Sequence, residues 1–492
     1  QAILTHDVLS HQYRGKGTAA EPYQVEFLGS HDVGNPQMWR TARKWLVVMC
    51  GAVATLAIAF GSSAYTAAIP GIMAHFGVSI TAATAGVAVF VLGFAIGPLF
   101  WAPLGELFGR QIWFWTTYAA VTIFAWAAGY TDSFAALIVL RFLGGATGAS
   151  VLSNAGGVIS DVMNEKERGL GLAFFSFAPF MGPVLGPICG GFEAMAVGWR
   201  WVLYTIAIFT GVVLVLGAVV VPETYGPALL AKRAAALSDY TGLHFVRASK
   251  RPQKSAAQLF KIALSRPWQL LFLEPITLAV CLYQAIIYGT LYMLFGAFPV
   301  VYRRGRGWNQ GVSGLMFVPV MIGLLLCLGY AVVENRRYAR IIDKRGAAEP
   351  EDRLPMSCVA AIALPVSMFW FAWTNSASLP WWPSALANIL FGFGLLASFL
   401  ASFNYLVDMY ALYAASVLAA AAVSRSVVGA AFPLFTNQMF DALGIHWASA
   451  LPGFLALACA PCPFLFYKYG AAIRMRCKYA RQAALEMAEI KA

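Results

Sequence analysis

Arg141 stands inside a long apolar run, residues 135–145 (AALIVLRFLGG). A charge within such a run costs roughly 2.5–3.5 kcal/mol on membrane-insertion scales, so it marks a task. The guanidinium stays protonated at any physiological pH. It cannot exchange a proton itself, but it can stabilise the charge state of a neighbouring acid or hold an anionic group. The alternative is an arginine that snorkels to lipid headgroups. A position about eight residues into the run, about 12 Å at 1.5 Å per residue, is deep for that. Arg425, inside another apolar run, is the second buried cation. It pairs with a carboxylate or stands as the second half's equivalent of Arg141. Acids that could carry a proton are few: Asp408, beside Asn404, Tyr405 and Tyr410, comes first, Glu274, followed by Pro275, second, with Glu193 at another span end. Each reads equally well as a boundary residue capping a helix or meeting a loop cation.

Two further patterns carry chemistry. Gly182, Gly186 and Gly190 fall one helical turn apart, a smooth strip against which another helix can pack closely. Pro183 and Pro187 remove backbone donors from the same run, and Gly191 ends it. Gln284, Tyr288 and Tyr292 also fall one turn apart. With Tyr283, Asn404, Ser62, Ser63 and Tyr65 they form a candidate substrate cavity of aromatic and small polar groups. Such a cavity can clasp an aromatic or cationic ligand by stacking and cation–π contact. Helix packing or an interfacial aromatic belt explains the tyrosines equally well.

These residues are held by a chain that is 60% hydrophobic and only 11% charged over 492 residues, where ordinary soluble domains carry about 25% charged residues. Apolar runs of bilayer length follow one another near 45–68, 82–104, 112–131, 133–157, 169–191, 199–221, 269–298, 312–333, 355–374, 383–405, 413–436 and 448–467. The fold class is therefore an all-α polytopic membrane protein with twelve transmembrane helices. The longest connection, 222–267, is basic and divides the chain into bundles at 45–221 and 268–467. Residues 1–44 and 468–492 form tails, the first expected to be flexible, with Trp39 as an interfacial anchor. Of the 34 Lys and Arg residues, only Arg200, Arg303, Arg304 and Arg306 fall in connections on the side away from the termini. That asymmetry predicts cytosolic termini, and it explains the net charge of +12 without nucleic acid.

Enzyme chemistry has no constellation here. No Gly-x4-Gly-Lys-Ser/Thr loop is present, and the six histidines have no metal-ligand spacing. Cys459 and Cys462 have redox-pair spacing but sit mid-span without a basic neighbour, so they read as packing residues.

Residues 101–110 (WAPLGELFGR) resemble the loop 2–3 signature of the major facilitator superfamily. Residues 141–145 (RFLGG) resemble its span-four arginine motif, and 182–191 (GPVLGPICGG) the span-five motif of its antiporters. More narrowly, the chain is similar to the fungal drug:H+ antiporters with twelve spans. That likeness rests on VPETY at 221–225, LEP at 273–275, EDRLP at 351–355, NYLVDMY at 404–410 and FPLF at 432–435, and it runs from about Asn35 to Tyr479. Ala102 stands in place of the first glycine of the loop signature, Glu106 of its aspartate and Gln111 of a basic residue.

The resemblance implies two pseudo-symmetric six-helix bundles rocking about a midplane cavity. It implies that Arg141 serves proton coupling; the residues themselves offer Asp408, then Glu274, as the proton carrier and Arg425 as a second coupling cation. It also implies that Glu106, Gly109, Arg110, Asp161 and Arg168 form a gating network that latches the halves. The expected function is proton-coupled efflux of small amphipathic organic compounds, with an uptake symporter or a polyamine exporter as alternatives. No cofactor is expected beyond the proton gradient. The expected partners are a small-molecule substrate, protons and the lipid bilayer, for a monomer in the plasma membrane.

Overall fold

In the computed structural model, residues 4–29, 32–248, 255–346 and 348–491 are described, and within them the side chains of 155, 165–168 and 487–491 are not. Helices dominate. The first half comprises α1 (Thr41–Phe76), α2 (Ile80–Phe108), α3 (Arg110–Tyr130), α4 (Phe134–Val162), α5 (Glu165–Val197) and α6 (Trp199–Val220). The connection carries α7 (Gly226–Thr241) and α8 (Ala256–Leu273). The second half comprises α9 (Pro275–Phe298), α10 (Val318–Arg345), α11 (Pro355–Thr374), α12 (Trp382–Met409), α13 (Ala414–Cys459) and α14 (Pro461–Arg476), followed by α15 (Lys478–Lys491).

Ten helical stretches among the described residues are long and apolar enough to cross a membrane. Two further passes complete the twelve expected. Helix α3 falls just short in hydropathy because its apolar stretch carries Trp113, Trp115, Trp126, Tyr118 and three threonines. Its 21 residues nevertheless reach about 30 Å, the thickness of a hydrocarbon core. The stretch Ala411–Arg476, which takes in α13 and α14, spans 66 residues, enough for two passes. Within it, α13 is two helices joined at Gly444, whose φ of 73° breaks the helical backbone. A side chain would strain that backbone, which is why a glycine stands there.

Helix ends follow local chemistry. The hydroxyls of Ser79 and Ser133 accept from the amides of Ala82 and Ala136 at the starts of α2 and α4. Left-handed Gly77 and Gly346 close α1 and α10. Within the first half, α1 packs on α5 and α6, α2 on α4, and α3 on α4 and α6. Within the second, α9 packs on α13, and α12 on α10 and α11. The halves meet where α2 lies along α13 and where α5 lies along α10 and the short helical turn Gln310–Gly314.

The tail is folded, contrary to the expectation of flexibility. Strand β1 (Tyr23–Val25) pairs in parallel with β2 (Phe245–Arg247) of the connection, Val25 opposite Arg247. Val8 and Val25 are buried with Ala234 and Leu237 of α7. Arg233 on the same helix donates to both oxygens of Asp32, at 2.7 and 2.8 Å. The tail's apolar residues thus find a partner surface, and its acid finds a buried cation. Burial pushes the Asp32 carboxyl up, but the bonds from Arg233 and from the Leu28 and Gly34 amides outweigh it and hold it below its usual range. Trp39 is not an interfacial anchor: it is 6% exposed, packed with Val47, Val162 and Val221.

The tail strand β1 and helix α15 lie on one face. The tail pairs with the connection, and the Tyr479 amide of α15 donates to Glu274 at the start of α9 (2.8 Å). This is called the terminal face below.

Candidate functional site

Arg141 enters the core from α4 and is 4% exposed. Its Nε donates to the Gly86 carbonyl of α2 (3.1 Å) and its Nη1 to the Gly61 carbonyl of α1 (2.9 Å). The guanidinium lies over the rings of Tyr65 (4.5 Å) and Phe90 (4.1 Å). Its Nη2 is buried without a hydrogen-bond partner, as is the Tyr65 hydroxyl. Three helices of the first half are thus tied through one side chain, with no carboxylate among its contacts.

Arg425 enters from α13 on the other side. Its guanidinium lies about 6 Å from three rings, Tyr288 and Phe399 (5.8 Å each) and Phe403 (6.0 Å). No carboxylate pairs with it among the described residues, so the expected acid partner is not there. Between the two cations stand Tyr288 and Tyr292 of α9, their hydroxyls 3.4 Å apart. Tyr292 bonds Ser62 of α1 across the two halves (2.7 Å). Phe180 of α5 meets Phe399 of α12 beside them, ring centroids 4.6 Å apart. Aromatic side chains from both halves therefore close the centre of the molecule.

A cavity of about 490 Å³ lies on the side of this plug away from the terminal face. Thr66, Thr84, Pro187, Phe295, Gln310 and Asn437 line it, and the exposed Arg303 and Arg304 stand at its mouth. No Asp or Glu lines it among the described residues. Flanking bonds join the halves: Gln310 to the Ala67 carbonyl (2.5 Å) and Gln438 to Thr81 (2.8 Å). The sequence-based cavity residues do not line this space. Ser62, Tyr65, Tyr288 and Tyr292 lie in the plug, and Ser63 turns back to the Phe60 carbonyl (3.3 Å). Gln284 bonds the Ser398 backbone and hydroxyl (3.0 and 3.1 Å), so it faces α12 within its own half; Tyr283 is buried with an unpartnered hydroxyl. Asn404 lies instead in a small crevice between the halves at the terminal face, with Gly169 and Asn335. Helical period puts residues on one face but not at one depth.

The glycine-proline run of α5 divides its work. Gly182, Gly186 and Gly190 press on α1; a Cβ on Gly186 would meet the Ser63 hydroxyl and, at 2.6 Å, the Ala64 amide. Pro187 and Gly191 face the cavity and the turn Gln310–Gly314. The helix continues unbroken through Pro179, Pro183 and Pro187.

At the terminal face, Arg110 Nε donates to Asp161 (2.6 Å). The second acid of this cluster is Glu223 rather than Glu106. Glu223 is 5% exposed and accepts from the amides of Arg110 (3.1 Å), Gln111 (3.2 Å), Thr224 and Tyr225 (2.9 Å each). It thus caps the start of α3, where a negative group is favoured. Glu106 points to solvent with no ion pair among the described side chains. Gly109 takes φ 93° at the α2–α3 junction, with Glu223 against it. The Arg168 side chain lies outside the described residues. The partners named here belong to the first half and its exit.

Two of the remaining acids are held at the same face, and Glu193 lies at the opposite end of α5. Asp408 meets Arg353 (3.1 Å) and accepts from the Tyr338 hydroxyl (3.4 Å). Glu274 is fully buried and accepts from the Tyr410 hydroxyl (2.9 Å) as well as the Tyr479 amide. Glu193 accepts from the Thr205 hydroxyl. None of the three touches Arg141 or Arg425.

The family model described as Major Facilitator Superfamily matches residues 51–433. The chain belongs to the major facilitator superfamily. Among similar superfamily proteins is the "Major facilitator superfamily multidrug transporter mdrA" of Aspergillus fumigatus, 51% identical over 98% of this chain and 80% of that protein. "Efflux pump FUBT" of Fusarium oxysporum is 47% identical over 98% of this chain and 82% of its own length. The solved proton:xylose symporter XylE, bound to 6-bromo-6-deoxy-D-glucose, superposes with a TM-score of 0.62 at 15% identity, over 88% of this chain and 96% of its own. That likeness is one of fold: an all-α, multi-pass major facilitator protein. This superfamily membership makes the chain a membrane transporter of small molecules rather than an enzyme.

Proposed function

We propose that this chain exports small amphipathic organic compounds by alternating access, exchanging them for protons. The two bundles, 45–221 and 268–467, would rock about the Tyr288–Tyr292 plug. The carrying observation is the cavity between the halves, open to one face and floored by Phe295 over this plug, with Arg141 fixed behind it. Relatives named as a multidrug transporter and an efflux pump support the outward direction. The excess of Lys and Arg on the terminal face supports cytosolic termini. The cavity then opens to the exterior.

The proton needs a group whose protonation favours one conformation. Asp408 suits this better than Glu274: protonating it releases Arg353 and Tyr338, which hold α10, α12 and the Pro350–Arg353 turn together. Glu274 is shut away by Tyr410 and the α15 amide. The test uses purified protein in sealed liposomes with an imposed pH gradient and an internal pH dye. Compound movement opposite to the proton, reversing with the gradient, supports antiport; movement of both together would make the chain an importer, and no movement would remove the reading.

A further inference from the structure

The charges along the axis of the molecule are all of one sign. Arg141 and Arg425 flank the central tyrosines, and Arg303 and Arg304 stand at the cavity mouth. Asp441, its side chain 68% exposed, lies 3.5 Å from Arg304, and Glu193, two residues beyond the lining Gly191, is taken by the Thr205 hydroxyl. Asp408 and Glu274 are committed elsewhere, and no acid lines the cavity among the described residues. A cation in a membrane core without a counter-charge is costly, and whatever its own chain leaves uncompensated is open to a ligand. Arg141 is partly compensated by two carbonyls, yet Nη2 remains buried and unpartnered. Arg425 has rings alone. A guanidinium facing π-clouds keeps its N–H groups available for an oxyanion, which it binds in bidentate fashion.

Resting on the export reading above, we infer that the cargo is an organic monoanion with an apolar, ring-bearing body. Its carboxylate, or an equally acidic hydroxyl, is taken by Arg425, with Arg141 across the Tyr288–Tyr292 pair. The body takes the place that Phe180, Phe399 and Tyr288 fill in this closed plug, and it enters as the two halves part. Lipophilic cations are disfavoured: the rings that would attract them already hold an arginine. The mouth arginines raise the local concentration of anions along the same path.

The full chain, purified in detergent, is titrated with benzoate, 2-naphthoate and 9-anthracenecarboxylate, each beside its amide and its aminomethyl counterpart. At least one carboxylate should bind tenfold or more tightly than its amide, and the ammonium compounds weakest of all. Arg425→Gln should remove that preference, whereas Arg425→Lys, checked with it for a single monodisperse species, should keep it. Amides or ammoniums binding as well as the carboxylates, no carboxylate binding, or a preference surviving in Arg425→Gln would overturn the inference. The same compounds then enter liposomes with a pH gradient. A carboxylate that binds selectively but is not moved against the proton would leave the anion site standing and remove the export reading. An ammonium compound moved against the proton by a protein that binds no carboxylate would do the opposite.

Discussion

Arg141 and Arg425 are both arginines near the centre of a membrane protein, yet their surroundings differ in kind. Arg141 spends two donors on backbone carbonyls of α1 and α2 and lies between two rings, nearly sealed from solvent. Charged hydrogen bonds of about 1.5–3 kcal/mol each and cation–π contacts of up to ~2 kcal/mol can offset most of an insertion cost near 3 kcal/mol. Arg425 has only rings at about 6 Å. The first is a rivet that a helix bundle is assembled around; the second is a charge left available. Depth in a span therefore does not define a role, whereas the partners of each N–H group do.

The largest expected effect separates the two directly. Arg141→Lys cannot reach both carbonyls with one nitrogen, so transport in liposomes should fall a hundredfold or more. Arg425→Lys should lose less than tenfold. The reverse ranking would exchange the two roles. Next comes Gly186→Leu, which forces α1 and α5 apart and displaces Gly61, the acceptor for Arg141, along with Ser62; transport should drop at least tenfold. Full activity would show that Arg141 does not depend on this packing. Asp161→Asn removes the 2.6 Å partner of Arg110, at 15% and 17% side-chain exposure, and leaves the backbone bonds of Glu223 in place. A several-fold loss is expected, with Arg141 undisturbed. A loss matching that of Arg141→Lys would mean that the terminal-face cluster and the core arginine act as one unit.

The twelve passes were legible because each apolar run is nearly as long as a bilayer is thick, and Arg141 because a lone charge in such a run has no ordinary explanation. Glu223 was not: beyond the neighbouring amides of Thr224 and Tyr225, it caps the amides of Arg110 and Gln111, more than a hundred positions away, which leaves no mark on the sequence. The cavity was misplaced for a related reason. Gln284, Tyr288 and Tyr292 share a face, but the helix opposite that face changes along its length, from α12 at Gln284 to α1 at Tyr292. The folded tail was invisible because three-residue strands carry no periodicity.

The smallest expected effect concerns that tail. The depressed carboxyl of Asp32 contributes stability that is present above the ordinary carboxylate pKa of about 3.9 and is lost as pH falls through its lower folded value. Protection of residues 4–29 from a protease should hold from pH 8 to pH 5 and fail only in stronger acid. Asp32→Asn should lose it at every pH, with transport changed less than twofold. A large loss of transport would join the tail to the rivet.

The pairing of Val25 with Arg247 also fixes an order of events during synthesis. The two residues are about 220 positions apart, so at roughly 5–20 residues per second the first strand waits on the order of ten to forty seconds for its partner. Meanwhile six helices must leave the ribosome and enter the bilayer. Only a nascent chain whose first six helices have gone in and come back out to the starting side can close the strand pair, which makes the tail a gauge of correct insertion.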